Sequence, residues 1–323
     1  MLIDEFEVHN YKLFESLKLE GLGRVNLIVG ANNVGKTALL EALYLDGRRD
    51  LAAAVIDLMR QRKESGEPSV EPSVRRWWGK EGLDLIAGDS NLEIHNRYGR
   101  TVLQRTAKRG AKNTQIGGTV TLKKLGDLES EMLPIAERFN DTLAIWQSGL
   151  DETLRDNCWD QFVLYGENDQ IVQLMQLVEP SIRRIGLKND GHVVRQPYYL
   201  DEAGKEFPLS RLGLGMARLL GLAFGMYFSK NDRLIIDEVE TGLYYEVQEK
   251  VWAWIFEASR QLDVQVFATT HSLDCVRAFA HAAKVSEEVG RIYRLTRKFG
   301  PIRAVKYDEN QMQIATEQDI EVR

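Results

Sequence analysis

The run Gly30-Ala31-Asn32-Asn33-Val34-Gly35-Lys36-Thr37 has the residue types and spacing of a phosphate cradle, G-x-x-x-x-G-K-[ST]. Glycines in such a loop let the backbone curl until successive N–H groups point at phosphate oxygens. Lys36 would reach the β- and γ-phosphates, and the Thr37 hydroxyl would ligate Mg²⁺. The expected nucleotide-binding set here is Gly30, Asn32, Asn33, Gly35, Lys36 and Thr37. A plain glycine turn entering a helix is the bland alternative. Position argues against it, because the run falls between a buried-strand pattern and a helical one, where a helix N-terminus helps hold an anion.

A second cluster is Leu234-Ile235-Ile236-Asp237-Glu238. An apolar strand ending in two acids puts both carboxylates at the carboxyl end of a parallel sheet, where ligands bind in open α/β folds. Asp237 joins Thr37 as an expected metal ligand, and Glu238 is expected to polarise the attacking water. Strands often end in acids, so the pairing with the upstream cradle is what gives this cluster weight. His271 closes the next apolar run, Val266-Phe267-Ala268-Thr269-Thr270, and could contact a γ-phosphate. A lone histidine at a strand end is also a common structural residue. The catalytic candidates are Glu238, His271 and Lys36.

Elements must hold these residues in place. Ile3 to Val8 and Leu17 to Leu22 alternate as strands, and Val25 to Val29 reads as a buried strand ahead of the cradle. A helix begins at Ala38, and a second, over residues 50 to 63, ends near the Pro- and Gly-containing stretch Ser65 to Ser73. From Asn91 to Leu125, short Thr/Val/Leu runs separated by Gly99-Arg100 and Gly117-Gly118 suggest antiparallel hairpins. Residues 127 to 180 read as helix. Val193 to Leu200 and Glu206-Phe207-Pro208 read as a hairpin, and helices over 210–229 and 243–262 flank a strand at Arg233 to Ile236. Val264 to Thr269 is a further strand. The alternation at both ends predicts an α/β core made of 1–90 and 201–323, interrupted by an inserted lobe over 91–200.

Around the motifs, the chain resembles a known class. Pro208-Leu209-Ser210-Arg211-Leu212-Gly213-Leu214-Gly215 lies just upstream of the acidic strand, as the signature motif of ABC-class ATPases does. Asp237 to Leu243 resembles their acidic motif and D-loop, and Thr269-Thr270-His271-Ser272 resembles their switch-histidine segment. The opening, Glu5 to Phe14, is similar to the start of RecF-like and OLD-type AAA-family ATPases, and Asp319 to Arg323 is similar to their ends. The resemblance spans both ends of the chain and implies a P-loop ABC-type ATPase head; it leaves the middle, about 91 to 200, unmatched, and that part reads from its own residues as an inserted antiparallel β lobe with a helical segment. The resemblance also implies ATP and Mg²⁺ as cofactors, hydrolysis of ATP to ADP and phosphate, and a dimer closed around two nucleotides. Carried over by position, Ser210, Gly213 and Gly215 contact the γ-phosphate held by the other subunit, while Lys36, Thr37, Asp237, Glu238 and His271 act within their own. Two positions depart from the pattern: Leu214 stands where OLD-type relatives often have an acid, and Tyr244 where they often have His. For the Q-loop glutamine, Gln104 is the candidate.

From Arg97 to Lys124 the chain carries eight basic residues and no acid. Such a window could bind the phosphate backbone of DNA, dock the acidic 127–160 stretch or a partner, or be a solvated face. Trp77-Trp78 beside Arg75-Arg76 could stack on bases, although paired tryptophans more often pack. Two functions stay open. One is an ATP-hydrolysing switch acting on DNA, in repair or in antiviral (anti-phage) defence, with a separate effector such as a nuclease. The other is a slow-hydrolysing ATP-bound scaffold that holds an effector without binding DNA. A nuclease in its own right fits poorly, because OLD-type nucleases carry a Toprim domain after the ATPase and 52 residues after His271 are too few.

Composition bounds the rest. The 323 residues are 44% hydrophobic and 28% charged with a net charge of −6, which excludes a disordered chain or one coated in positive charge. Cys158 and Cys275 are too few for a disulfide framework or a Cys-rich zinc site. The longest apolar stretch, Leu212 to Phe228, is broken by Arg218 and four glycines, so no membrane span is expected. The N-terminus lacks a secretory pattern, and a reducing cytoplasm is the expected location.

Overall fold

The computed structural model describes residues 2–48, 51–61, 83–87, 90–97, 100–109, 112–115, 120–122, 142–147, 149, 155–156, 159–160, 163, 168–189, 191, 195–297, 300–307 and 311. Trp77-Trp78, Lys123-Lys124 and the Asp319–Arg323 segment lie outside them.

Strands β1 (Glu5–Tyr11) and β2 (Phe14–Glu20) pair antiparallel, and β3 (Val25–Val29) leads through the cradle into α1 (Lys36–Gly47). After α2 (Leu51–Gln61) come β4 (Leu83–Ala87), β5 (Ser90–Arg97), β6 (Arg100–Arg109), β7 (Lys112–Gln115) and β8 (Val120–Leu122). Strands β5 to β8 are antiparallel, as expected, and with β4, which was not expected, they form no sheet of their own. They extend the first pair in the order β2-β1-β4-β5-β6-β7, with β8 also on β6. The joint is β4 against β1, with Val8 opposite Leu85, and Leu85 lies opposite Leu92 on β5. All three are buried, so matching alternation on three strands makes one continuous apolar face.

The stretch 127–180, expected as helix, contains β9 (Leu143–Ile145) and then α3 (Asn168–Gln176). A small antiparallel sheet follows, β10 (Arg184–Lys188), β11 (Gln196–Leu200) and β12 (Glu206–Pro208), and it delivers the chain into α4 (Leu214–Phe228). The remainder alternates: β13 (Arg233–Ile236), α5 (Tyr245–Gln261), β14 (Gln265–Thr269), α6 (Leu273–Val285), β15 (Gly290–Thr296) and β16 (Arg303–Tyr307). The core sheet has the order β16-β15-β3-β14-β13-β9, parallel throughout except for β16. Strand β9, which lies inside the range expected for the inserted lobe, therefore belongs to this sheet. A three-residue strand cannot be told from a helical segment by periodicity, and its pairing partner decides.

Layers follow from alternation on the buried strands. Ile28, Ile235, Phe267 and Tyr293 pack with α1 and the antiparallel sheet, whereas Leu27, Ile236, Val266 and Ile292 pack with α4, α5 and α6. Leu27 is fully buried, so truncating it to Ala should cost ~2–5 kcal/mol. No helix among the described residues is long and apolar enough to cross a membrane.

Candidate functional site

The cradle begins where β3 ends. Gly35 caps α1 at φ +104 with no side-chain hydrogen bond, and a Cβ there would lie 2.8 Å from the Phe14 ring. Only glycine meets both demands. The first turn of α1 carries no acid, so no side-chain charge opposes an anion at its unbonded N–H groups. Asn33 adopts φ +59 within the loop, and Asn32 is exposed. Lys36 is buried, and its Nζ donates to the main-chain carbonyls of Gly30 (2.7 Å) and Ala31 (3.0 Å). Burial pushes its ammonium pKa down, against the opposing charges of Asp237, Glu238 and Glu240.

Asp237, at the end of β13, is buried beside the cradle. Thr269 Oγ1 donates to its Oδ1 at 2.7 Å, and Thr37 Oγ1 lies 3.4 and 3.3 Å from its two oxygens. Burial raises the carboxyl pKa; the Thr269 bond opposes this, and the Glu238 charge adds to it. A cation between Thr37 and Asp237 would offset the burial of that charge. The pair fits Mg²⁺, which takes one or two protein oxygens and completes its shell with phosphate and water. No group of three or more His, Cys, Asp or Glu among the described residues could hold a metal by itself.

Glu238 sits in the left-handed region at φ +50, an uncommon place for a residue with a side chain. Its carboxylate is held from two sides. Gln147 Nε2 donates to Oε2 at 2.6 Å, and His271 Nε2 lies 2.9 Å from Oε1. Gln147 arrives because β9 pairs with β13, Ile145 opposite Ile236. Gln104, the candidate from sequence, lies instead on β6 opposite Glu93 in the antiparallel sheet. The overlooked signal was the apolar run Leu143-Ala144-Ile145-Trp146 ending in glutamine.

The signature segment is a 3₁₀ turn, Leu209–Leu212, in which the Gly213 N–H donates to the Ser210 carbonyl at 3.1 Å before Gly213 caps α4. Gly215 packs on the D-loop so closely that a Cβ would lie 2.5 Å from the Gly242 oxygen. Leu214 is 79% exposed and Tyr244 62% exposed beside this contact. Farther along α4, Arg218 is buried and donates from Nη1 to the Trp146 carbonyl (2.8 Å) and from Nη2 to the carbonyls of Asp237 and Glu238. Burial lowers its pKa to about 10, against the pull of Asp237, Glu240 and Glu238. Lys36, Thr37, Asp237, Glu238 and His271 thus come together. The signature segment meets the D-loop at Gly215, and Arg218, on the helix that Gly213 caps, reaches the main chain of Asp237 and Glu238.

A family model for the AAA ATPase domain matches residues 1–47 and 89–276. The chain belongs to the AAA ATPase domain family. It is an ATPase with a P-loop. An ATP/GTP phosphatase of Helicobacter pylori is 22% identical over 88% of this chain and 91% of its own. The DNA replication and repair protein RecF of Bacillus thuringiensis is 44% identical over 45 residues, 14% of this chain and 12% of that one. A solved SmcHead bound to the C-winged helix domain of ScpA superimposes with a TM-score of 0.56 at 13% identity, covering 97% of this ATPase and all of that chain. An Smc head domain with an extended coiled coil, bound to the C-terminal domain of ScpA derived from Pyrococcus furiosus, gives a TM-score of 0.52 at 12% identity over 98% and 99% of the two chains. Likeness at this identity speaks for the fold, a mixed α/β head.

Proposed function

We propose that this ATPase is a nucleotide switch in which Glu238 activates the attacking water and Gln147 and His271 hold its carboxylate in position. The observation that carries this reading is the double grip on Glu238 beside the Lys36–Thr37 cradle. The phosphates of ATP would rest on N–H groups between Gly30 and Thr37, across Asn32, Asn33 and Gly35, with the Lys36 ammonium leaving its carbonyl partners to meet them. Thr37 and Asp237 would hold Mg²⁺, which supplies charge neutralisation on the phosphates when bound. Glu238 would take the water proton, and His271 would keep the carboxylate turned toward it.

The head would comprise 1–90 and 201–323 together with β9, and the rest of 91–200 would form the lobe. Ser210, Gly213 and Gly215 would complete the site of a second copy, with exposed Leu214 and Tyr244 at the junction. We place the protein in the cytoplasm. The run of eight basic residues and no acid from Arg97 to Lys124 supports a nucleic-acid partner. A second reading is a slow-hydrolysing scaffold for a separate effector such as a nuclease. It is favoured by the same grip, since both Glu238 oxygens are engaged in the single head.

Light scattering on Glu238→Gln, with and without Mg-ATP, tests the switch. ATP should bind while hydrolysis slows on the order of 10²–10⁴-fold. Two heads should then stay associated only with ATP, and Ser210→Arg should block that association. A monomer saturated with ATP would reject the dimer. Association unaffected by nucleotide and by Ser210→Arg would mean that another interface sets assembly.

A further inference from the structure

We infer that Glu240 is a positioning residue of the ATPase site, fastening the main chain at His271 to the D-loop and so fixing where the imidazole meets Glu238. The inference rests on the reading of Glu238 and His271 given above. Past Ile236 and Thr269 the strands β13 and β14 cease to pair, yet three bonds continue the contact. The Glu238 N–H donates to Thr269 Oγ1 (2.9 Å), the Val239 N–H to the Thr269 carbonyl (3.1 Å), and the His271 N–H to Glu240 Oε1 (2.8 Å). In the last of these, a side-chain oxygen stands where the carbonyl of a neighbouring strand would be.

Two further observations separate Glu240 from a residue that merely fills space. Its other oxygen, Oε2, is buried without a hydrogen-bond partner, so the carboxylate is held there against a desolvation cost. Its own carbonyl accepts the Leu243 N–H at 2.9 Å, closing the turn that sets Gly242 against Gly215. One residue therefore joins the turn beneath the signature glycines to the segment that carries the histidine. A side chain acting in this way should matter for hydrolysis far more than for nucleotide binding, because its bond leads to His271 and not to the cradle.

Steady-state hydrolysis and equilibrium binding of a non-hydrolysable ATP analogue on Glu240→Ala and Glu240→Gln test this. Misplacing a reacting group by ~1 Å costs about 10²-fold in rate, so Glu240→Ala should lower kcat on the order of 10- to 100-fold with analogue affinity within about twofold of wild type. Glu240→Gln keeps an oxygen for the His271 N–H and should recover most of the rate. In a His271→Ala background, Glu240→Ala should add little, since both changes remove one unit. If Glu240→Ala does not fold, Glu240→Asp replaces it: shorter by a methylene, it should be slow where Gln is fast. A wild-type rate for Glu240→Ala, or Gln as slow as Ala or Asp, overturns the inference. So do additive losses over a slowed His271→Ala, while leaving the reading of the histidine intact. A wild-type rate for His271→Ala overturns that reading, and the inference with it.

Discussion

Arg218 donates to the main-chain carbonyl of Asp237, so the helix that opens at the signature glycines is tied to the backbone of the acidic motif. The same guanidinium also reaches the carbonyls of Trp146 and Glu238. Arg218→Ala would leave three carbonyls, those of Trp146 and Asp237 in buried bonds, without this donor. Hydrogen bonds to charged groups contribute ~1.5–3 kcal/mol each, so the variant should lose about 3 kcal/mol or more in chemical denaturation. Arg218→Lys should recover only part of that, because one ammonium lacks the planar fork that spans the carbonyls. Wild-type stability in Arg218→Ala would show that these ties are absent in solution.

Asp237 gives a pH-dependent prediction. Burial raises its carboxyl pKa in the folded protein, so the fold favours the protonated form. That contribution is full below the unfolded pKa and is lost as pH rises through the raised folded value. At pH 7 the charge therefore counts against the metal-free fold. Asp237→Asn, which keeps an oxygen for Thr269, should raise the metal-free Tm at pH 7, and the difference should shrink as pH falls toward about 4. The extra Tm that Mg-nucleotide gives wild type should shrink in the variant. A metal-free variant that melts below wild type at pH 7 would contradict this account.

Lys36→Ala removes a buried ammonium whose present partners, the carbonyls of Gly30 and Ala31, belong to the cradle itself. Two charge-assisted bonds to phosphate would be lost, and ATP affinity should fall about 100-fold or more. Calorimetric titration showing undiminished affinity would remove the phosphate role of the loop.

Gln147→Ala frees one oxygen of Glu238 and leaves the other beside His271. If the glutamine orients the carboxylate, hydrolysis should slow on the order of tenfold with ATP binding unchanged. Faster hydrolysis would instead mark the bond as a restraint on the base, as the scaffold reading requires. Gln104→Ala, on the antiparallel sheet, should leave the rate as it was.

What the sequence determined by itself was contiguous. The cradle from Gly30 to Thr37 falls between a strand and a helix, and the acids after Ile236 and the histidine after Thr270 fall just past strand ends, as the sequence predicts, because that placement is set locally. The strand limits Arg233–Ile236 came out as expected for the same reason. Tertiary structure decided the rest. Gln147 meets Glu238 across 91 positions and Arg218 meets the Trp146 carbonyl across 72, and no spacing rule reaches that far. The β9 strand looked helical because three residues carry no period, and β4 joined β1 because alternation says which residues share a face but not which strand lies alongside. Strand order is set by the pooled burial of all the faces at once, so contacts that hang on it exist only once the sheets have assembled.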